Sequence, residues 1–125
     1  MTDPTAEFFE ELGRRGHEPR LEKVSGTVRV DLDQGKDSDH WLITINHGDV
    51  AVSRKNAKAD SIFHTDKALF DRMATGQANA MAAILRGVAI AEGNPELLVL
   101  FQRLLPGPGN GRDRRNTVGA GRRQP

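Results

Sequence analysis

The sequence predicts an α+β fold built on a five-stranded, mostly antiparallel sheet. Apolar and polar residues alternate between residues 27 and 52, which is the period of half-buried strands. Helical spacing opens the chain and returns after residue 65, so helices and strands fall in different stretches. The length of 125 residues suits one domain, which we assign to residues 1–105, followed by a tail over residues 106–125.

The first helix is predicted from its cap and its apolar face. Asp3 can cap this helix, and Pro4 suits its first turn. Phe8 and Phe9 lie on the apolar face, and residues 13–20 are expected to end the helix and lead into the sheet.

Five strands are predicted from the alternation and from the turns that separate them. They are expected at residues 27–32, 41–46, 50–52, 62–63 and 88–90. Residues 34–39 are expected to form a polar turn, and Gly48 can adopt the positive φ of the next hairpin turn. The first three strands therefore form an antiparallel meander.

Three more helices are predicted from their caps. Thr65 can cap the second helix, which Gly76 is placed to end in a left-handed turn. A short third helix over residues 78–85 is closed by Gly87. Asn94 can cap the last helix, which is expected over residues 95–105.

The last helix is more apolar than a surface helix needs to be. Six of its apolar residues cover an arc of about 160°, against about 100° for an ordinary surface helix. Other helices, a second subunit or a bound apolar ligand would each cover such a face. The Met and Ala residues of the two middle helices are typical of a layer that leaves space above a sheet, but they also suit an ordinary packed core. Periodicity alone leaves both interpretations open.

From Trp41 onward, several segments follow one another in a characteristic order. They are a Trp-led hairpin at 41–52, Ala59-Asp60 in a polar loop, a helix ending at Gly76, an Ala-rich helix at 80–87, a Gly-flanked strand at 88–93 and an apolar helix at 97–101. In this order they resemble the sterol carrier protein type 2 domain family. The resemblance spans roughly residues 25–105 and depends on the whole series rather than on any one segment.

The resemblance implies that the helices are layered on one face of the sheet and enclose an apolar tunnel. It also implies carriage of a fatty acid, an acyl-CoA, a sterol or a phospholipid without catalysis. The family pattern places the tunnel between the inner faces of the helices and the floor of the sheet. Carried over by position, the expected ligand-binding residues are Trp41, Ile43, Phe70, Met73, Met81, Ile84, Leu85, Leu98, Phe101, Leu104 and Leu105.

Residues for catalysis or metal binding are not grouped in the sequence. The chain has no Cys and no Tyr, and none of its Ser residues lies in a Gly-x-Ser-x-Gly turn. The four His residues form no i, i+4 pair, and the acidic residues between 31 and 39 lack the Gly and Glu of a calcium loop. We therefore expect a protein that is not an enzyme and that uses no metal or cofactor.

An alternative function is an accessory domain for protein interaction. The apolar last helix would then dock on a partner enzyme, or on a second copy of the chain as a dimer. A carrier would retain an apolar ligand through purification, whereas an accessory domain needs no tunnel.

Charge divides the chain into an acidic body and a basic tail. Residues 1–105 carry 13 Lys and Arg against 16 Asp and Glu, whereas residues 106–125 carry five Arg and one Asp. Nucleic acid is not an expected partner, because nucleic-acid-binding domains have their positive charge on the folded body. The tail, rich in Gly, Pro and Arg, is expected to be disordered and to contact anionic membrane transiently. The absence of Cys is consistent with a reducing cytoplasm, which is the predicted location.

Overall fold

The computed structural model describes residues 3–106 of the chain. The helices are α1 (Pro4–Arg15), α2 (Lys67–Ala74), α3 (Ala80–Leu85) and α4 (Pro95–Gln102), with a short 3-10 helix at Pro19–Leu21. The strands are β1 (Ser25–Gln34), β2 (Asp37–Asn46), β3 (Asp49–Ser53), β4 (Ser61–Asp66) and β5 (Ala89–Gly93). Apart from Pro106, the predicted tail over residues 106–125 lies outside the described residues.

The strands form one mixed sheet in the order β3-β2-β1-β4-β5. Pairing is antiparallel between β1 and β2, between β2 and β3 and between β4 and β5, whereas β1 and β4 run parallel. The predicted α+β fold with a five-stranded, mostly antiparallel sheet is confirmed. The parallel pair forms because the chain completes the β1–β3 meander and then returns along the other side of β1.

All four helices lie over one face of the sheet. Val28, Val30, Ile43 and Phe63 point towards the helices and are completely or almost completely buried. The opposite face carries polar and charged side chains such as that of Arg29. This one-sided arrangement agrees with the prediction that the helices form a single layer.

A stack of aromatic rings joins the helix layer to the sheet. The ring of Phe9 in α1 lies 4.6 Å from that of Trp41 in β2 and 5.5 Å from that of Phe70 in α2, centroid to centroid. Phe63 of β4 and Phe101 of α4 extend the cluster, with a centroid separation of 6.3 Å. Stacked and edge-to-face rings add to the large apolar area that such side chains bury. The cluster therefore connects elements from both halves of the chain.

The end of α1 agrees with its prediction, whereas the start of α2 differs. α1 ends at Arg15, and Gly16, with a φ of 70°, follows it within the predicted range of residues 13–20. Thr65 does not cap α2, because it belongs to β4 and its hydroxyl donates to the carbonyl of Val88 at 2.8 Å. Asp66 occupies the capping position without a side-chain hydrogen bond.

The predicted polar turn over residues 34–39 is too long. Only Gly35 and Lys36 separate the two strands, and β2 already begins at Asp37. Gln34 pairs with Asp37, so the hairpin continues beyond its apolar part. Backbone pairing does not require apolar side chains, so the two strands extend beyond the residues that alternate between apolar and polar. The prediction was based on that alternation and therefore made the turn too long.

His17 connects the segment after α1 to the start of β3. Its Nδ1 lies 2.9 Å from Oδ1 of Asp49, and its Nε2 lies 2.9 Å from Oε2 of Glu22. Hydrogen bonds from the protonated ring to Asp49 and then to Glu22 raise the pKa of His17 above its ordinary value. Gly48 is required beside this ring, because its φ is +93° and a Cβ there would lie 2.8 Å from Cε1 of His17.

Replacing Phe9 with Ala is expected to lower the free energy of unfolding by about 3–5 kcal/mol, because it removes the ring that contacts both Trp41 and Phe70. Urea denaturation measures the change. Phe8→Ala is the matched control, and it should cost less because Phe8 is only half-buried. A loss for Phe8→Ala that equals or exceeds the loss for Phe9→Ala would contradict this role of Phe9.

His17→Gln is expected to remove a pH-dependent part of the stability. Because the pKa is raised by folding, the stabilisation is complete below the unfolded pKa of about 6.5 and is lost as the pH rises through the folded pKa. Urea midpoints of the wild type and the variant should therefore differ most at about pH 6 and converge towards about pH 9. A difference that stays constant across this range would mean that the charge of His17 contributes nothing.

Candidate functional site

An apolar groove lies between α3, β5 and α4. Its volume is about 230 Å³. The residues that line it are Met81, Ile84, Ala91, Gly93, Pro95, Leu98, Val99 and Gln102. Among these eight residues only Gln102 has a polar side chain, and none has a side chain that titrates. The groove can therefore hold apolar surface, but it offers no acid, base or nucleophile.

The small residues of β5 leave the space that forms the groove. Ala89, Ala91 and Gly93 share the face of β5 that points towards the helices, since Ala91 pairs with the inward-facing Phe63. Gly93 has a φ of +99°, and a Cβ there would lie 2.2 Å from the carbonyl oxygen of Asp60. Side chains this short fill less of the space below the helix layer than the rings and branched side chains of the neighbouring strands.

The α3 wall of the groove is held on the sheet by small side chains. Asn79 caps α3 by accepting a hydrogen bond from the backbone NH of Ala82 at 2.9 Å. Of the six residues in α3, only Ala80 and Ala83 are buried. Since the hydrophobic gain scales with the apolar area removed from water, two Ala side chains stabilise this contact only weakly. Among the walls of the groove, α3 is therefore the easiest to displace.

The predicted ligand-binding residues fall into two main groups and one exception. Met81, Ile84 and Leu98 line the groove. Seven others are buried in the packed core: Trp41, Ile43, Phe70, Met73, Phe101, Leu104 and Leu105. Leu85 belongs to neither group, because 80% of its surface is exposed. The apolar space that the helices leave beside β5 is an open groove and not an enclosed tunnel.

Five residues of the groove were not predicted from the sequence. They are Ala91, Gly93, Pro95, Val99 and Gln102. A signal for two of them does exist, since Ala89, Ala91 and Gly93 alternate along a strand and place small residues on one face. Val99 carries no such signal. It lies outside the apolar arc of α4 and reaches the groove only because α3 packs beside that side of α4.

The apolar arc of α4 is covered by the chain's own core. Leu97 and Phe101 are buried, and so are Leu104 and Leu105. The helix ends at Gln102, three residues before its predicted end, and Leu104 and Leu105 follow in a turn. The alternative of an accessory domain required this arc to be free for docking. Of the large apolar residues of α4, only Val99 is exposed.

Several hydrogen-bonded charged groups lie on the outward face of the sheet, away from the groove. Asp31 accepts hydrogen bonds from Arg29 Nε at 2.9 Å and from His40 Nδ1 at 2.8 Å. Burial raises the pKa of the Asp31 carboxyl, but these hydrogen bonds outweigh burial and hold that pKa below its usual range. His64 makes a similar contact with Asp33 at 2.8 Å. Within residues 3–106, no group of three or more His, Cys, Asp or Glu side chains is arranged to hold a metal ion.

One-sided helix packing and an apolar groove without titratable groups define an α+β domain suited to apolar ligands. A family model described as the SCP-2 sterol transfer family matches residues 9–106. The chain belongs to this family, and membership implies that it binds or transfers apolar lipids. In the part of the chain that the structure describes, no helix is long and apolar enough to cross a bilayer.

Solved structures share this fold. The sterol carrier protein domain 2 of Helicoverpa armigera is similar with 20% identity and a TM-score of 0.69, over 90% of this chain and 93% of that one. Palmitated SCP2L2 from Aedes aegypti is similar with 11% identity and a TM-score of 0.63, over 91% and 96%. The stereoselective inverting sec-alkylsulfatase Pisa1 from Pseudomonas sp. matches with 22% identity and a TM-score of 0.62, over 78% of this chain and 16% of the sulfatase. A comparison with curated proteins gave no match.

Proposed function

We propose that this domain carries a long-chain fatty acyl lipid, without catalysing its conversion, and that the groove between α3, β5 and α4 is where the ligand enters. The observation that carries the proposal is the lining of the groove, in which seven of eight residues are apolar or Gly and none titrates. An acyl chain gains free energy from burial against such a surface, whereas a catalytic reaction needs polar groups that the lining does not supply.

The size of the groove implies that the protein adapts to its ligand. Its 230 Å³ is smaller than the roughly 300–1,000 Å³ of sites that enclose a small molecule. Displacing α3 would enlarge the space at little cost, because only Ala80 and Ala83 are buried there. Met81 faces the groove, and its unbranched side chain can follow the shape of a ligand.

In this proposal, the predicted ligand-binding residues that are buried in the core lie deeper in the domain than the groove. Leu98 lines the groove, and Phe101, one turn further along α4, is buried in the core. An acyl chain that enters past Leu98 would reach the buried core, to which Phe101, Met73 and Leu105 belong. Trp41 and Ile43 are more distant, since β4 and β1 separate their strand from β5.

A similar structure supports the choice of ligand class. The Aedes aegypti neighbour was solved in a palmitated form, and its fold matches nearly the whole of this chain. We therefore choose fluorescently labelled palmitate as the first probe.

Ala91→Phe is expected to raise the dissociation constant for labelled palmitate at least about tenfold, because the ring fills the groove without removing any core side chain. Fluorescence titration measures the constant, and native mass spectrometry of the purified chain reports any lipid that remains bound. Thermal unfolding of the variant should stay close to that of the wild type.

Ile90→Phe is the matched control on the same strand. Ile90 points to the opposite face of β5, so an added ring there should leave palmitate binding unchanged within about twofold. Equal binding by the wild type and Ala91→Phe would exclude the groove as the entry site. A wild type without lipid adduct and without uptake of the probe would refute the carrier function.

A further inference from the structure

A second pocket lies between α1, the end of α2 and the segment that follows α4. Its volume is about 490 Å³, and it shares no lining residue with the groove. The α1 residues on its surface follow helical spacing, at positions 4, 7, 8, 11 and 15. The remaining lining residues are Ala74, Thr75, Leu104 and Pro106. The proposed carriage of lipid in the groove makes no use of this pocket.

The charges around this pocket favour a cation. Glu7 is exposed and has no ion-pair partner within residues 3–106. Glu11, one turn further along α1, pairs with Arg14, and the charge of Arg15 is balanced by Glu18 at 3.5 Å. The helix α2 also ends at the pocket, and the C-terminal end of a helix attracts positive charge.

Part of the pocket surface is apolar. Phe8 is half-buried, and its ring lies 6.1 Å from that of Phe70 and 6.4 Å from that of Phe101, centroid to centroid. An apolar surface beside an unpaired carboxylate suits an Arg side chain. Its aliphatic stem packs on apolar atoms while its guanidinium binds the carboxylate.

The position of Pro106 identifies a segment that can reach these groups. Pro106 lines the pocket, so the residues that follow it in the sequence start there. Residues 107–111 are Gly, Pro and Asn, which are typical of turns, and residues 112–115 follow with three Arg and one Asp. The first of these Arg residues is six positions beyond Pro106, and six residues can span about 20 Å. Glu7 lines the same pocket, so this reach is sufficient.

We propose that residues 107–115 fold back over this pocket of their own domain and that their Arg side chains contact Glu7 and Glu11. The charges are complementary, since residues 106–125 carry five Arg and one Asp, whereas residues 1–105 are acidic in balance. Exposed ion pairs are individually weak. Attachment to the same chain compensates for this, because it gives the segment an effective concentration in the mM range. A contact with a dissociation constant of about 1 mM would therefore be made for a large part of the time.

Docking of the tail would compete with its predicted contact with anionic membrane. Both contacts use the Arg residues of the tail, and one guanidinium cannot bind a carboxylate of α1 and a lipid phosphate at the same time. Docking is independent of lipid carriage, because the pocket and the groove have no residue in common. A test of docking reports the position of the tail and not lipid binding, so the two proposals can fail separately.

A spin label in the tail tests the contact. Because the chain has no Cys, Thr117→Cys provides a single labelling site in the full chain. The label should broaden the backbone amide NMR signals of Phe8 and Glu11. Adding Glu7→Gln should reduce this broadening at least about twofold, because the unpaired carboxylate is lost. A salt concentration of about 1 M should reduce it by at least as much, because salt screens exposed charges.

Glu10→Gln is the matched control on the same helix. Glu10 is also exposed and has no ion-pair partner in the described part of the chain, but it lines a different pocket, beside β3. Its replacement should therefore leave the broadening unchanged.

Three results would overturn the proposal. The first is an absence of broadening at Phe8 and Glu11. The second is broadening that stays equal in Glu7→Gln and at high salt, because attachment at Pro106 alone would then explain it. The third is broadening that appears only when a labelled chain is mixed with a separate isotope-labelled chain, which would assign the pocket to the tail of a second copy.

Discussion

The stack of Trp41, Phe9 and Phe70 sets the spacing between the sheet and the helix layer. These rings come from β2, α1 and α2, so one continuous contact joins elements that are far apart in the chain. Flat rings in contact pack closely, and protein interiors tolerate few gaps. On this side of the domain the helices cannot approach or leave the sheet without breaking the stack. The stack therefore holds α1 and α2 together over β2.

At the other end of the sheet the inward-facing side chains are smaller. The inward residues of β5 are Ala89, Ala91 and Gly93, and the buried residues of α3 are Ala80 and Ala83. A groove lies between these elements, and α3 is held weakly because little of its apolar area is buried. The closely packed part of the domain, at the aromatic stack, and the weakly held part, at α3, therefore lie at opposite ends of one sheet. A carrier needs both, since the fold must persist while the ligand enters.

Local features of the fold were predicted well where the local backbone conformation favours one residue type. Gly48, with a φ of +93°, forms the β2–β3 turn, and Asp3, Asn94 and Gly87 mark helix ends as expected. The prediction that Thr65 caps α2 was wrong. A hydroxyl that can cap a helix can equally donate to a carbonyl of a neighbouring element, here that of Val88. Leu85 was expected to bind ligand from its position in the family pattern, but it is the last residue of α3 and 80% of its surface is exposed.

By itself, the sequence determined the α+β class, the meander of the first three strands, most turns and the apolar character of α4. These features depend on periodicity and on the conformational limits of single residues, and both are local. Only the tertiary structure decided that β4 lies parallel to β1, that α4 turns its apolar arc into the core, and that Val99 faces the groove. Each of these depends on which surfaces meet, and that is a property of residues distant in the chain.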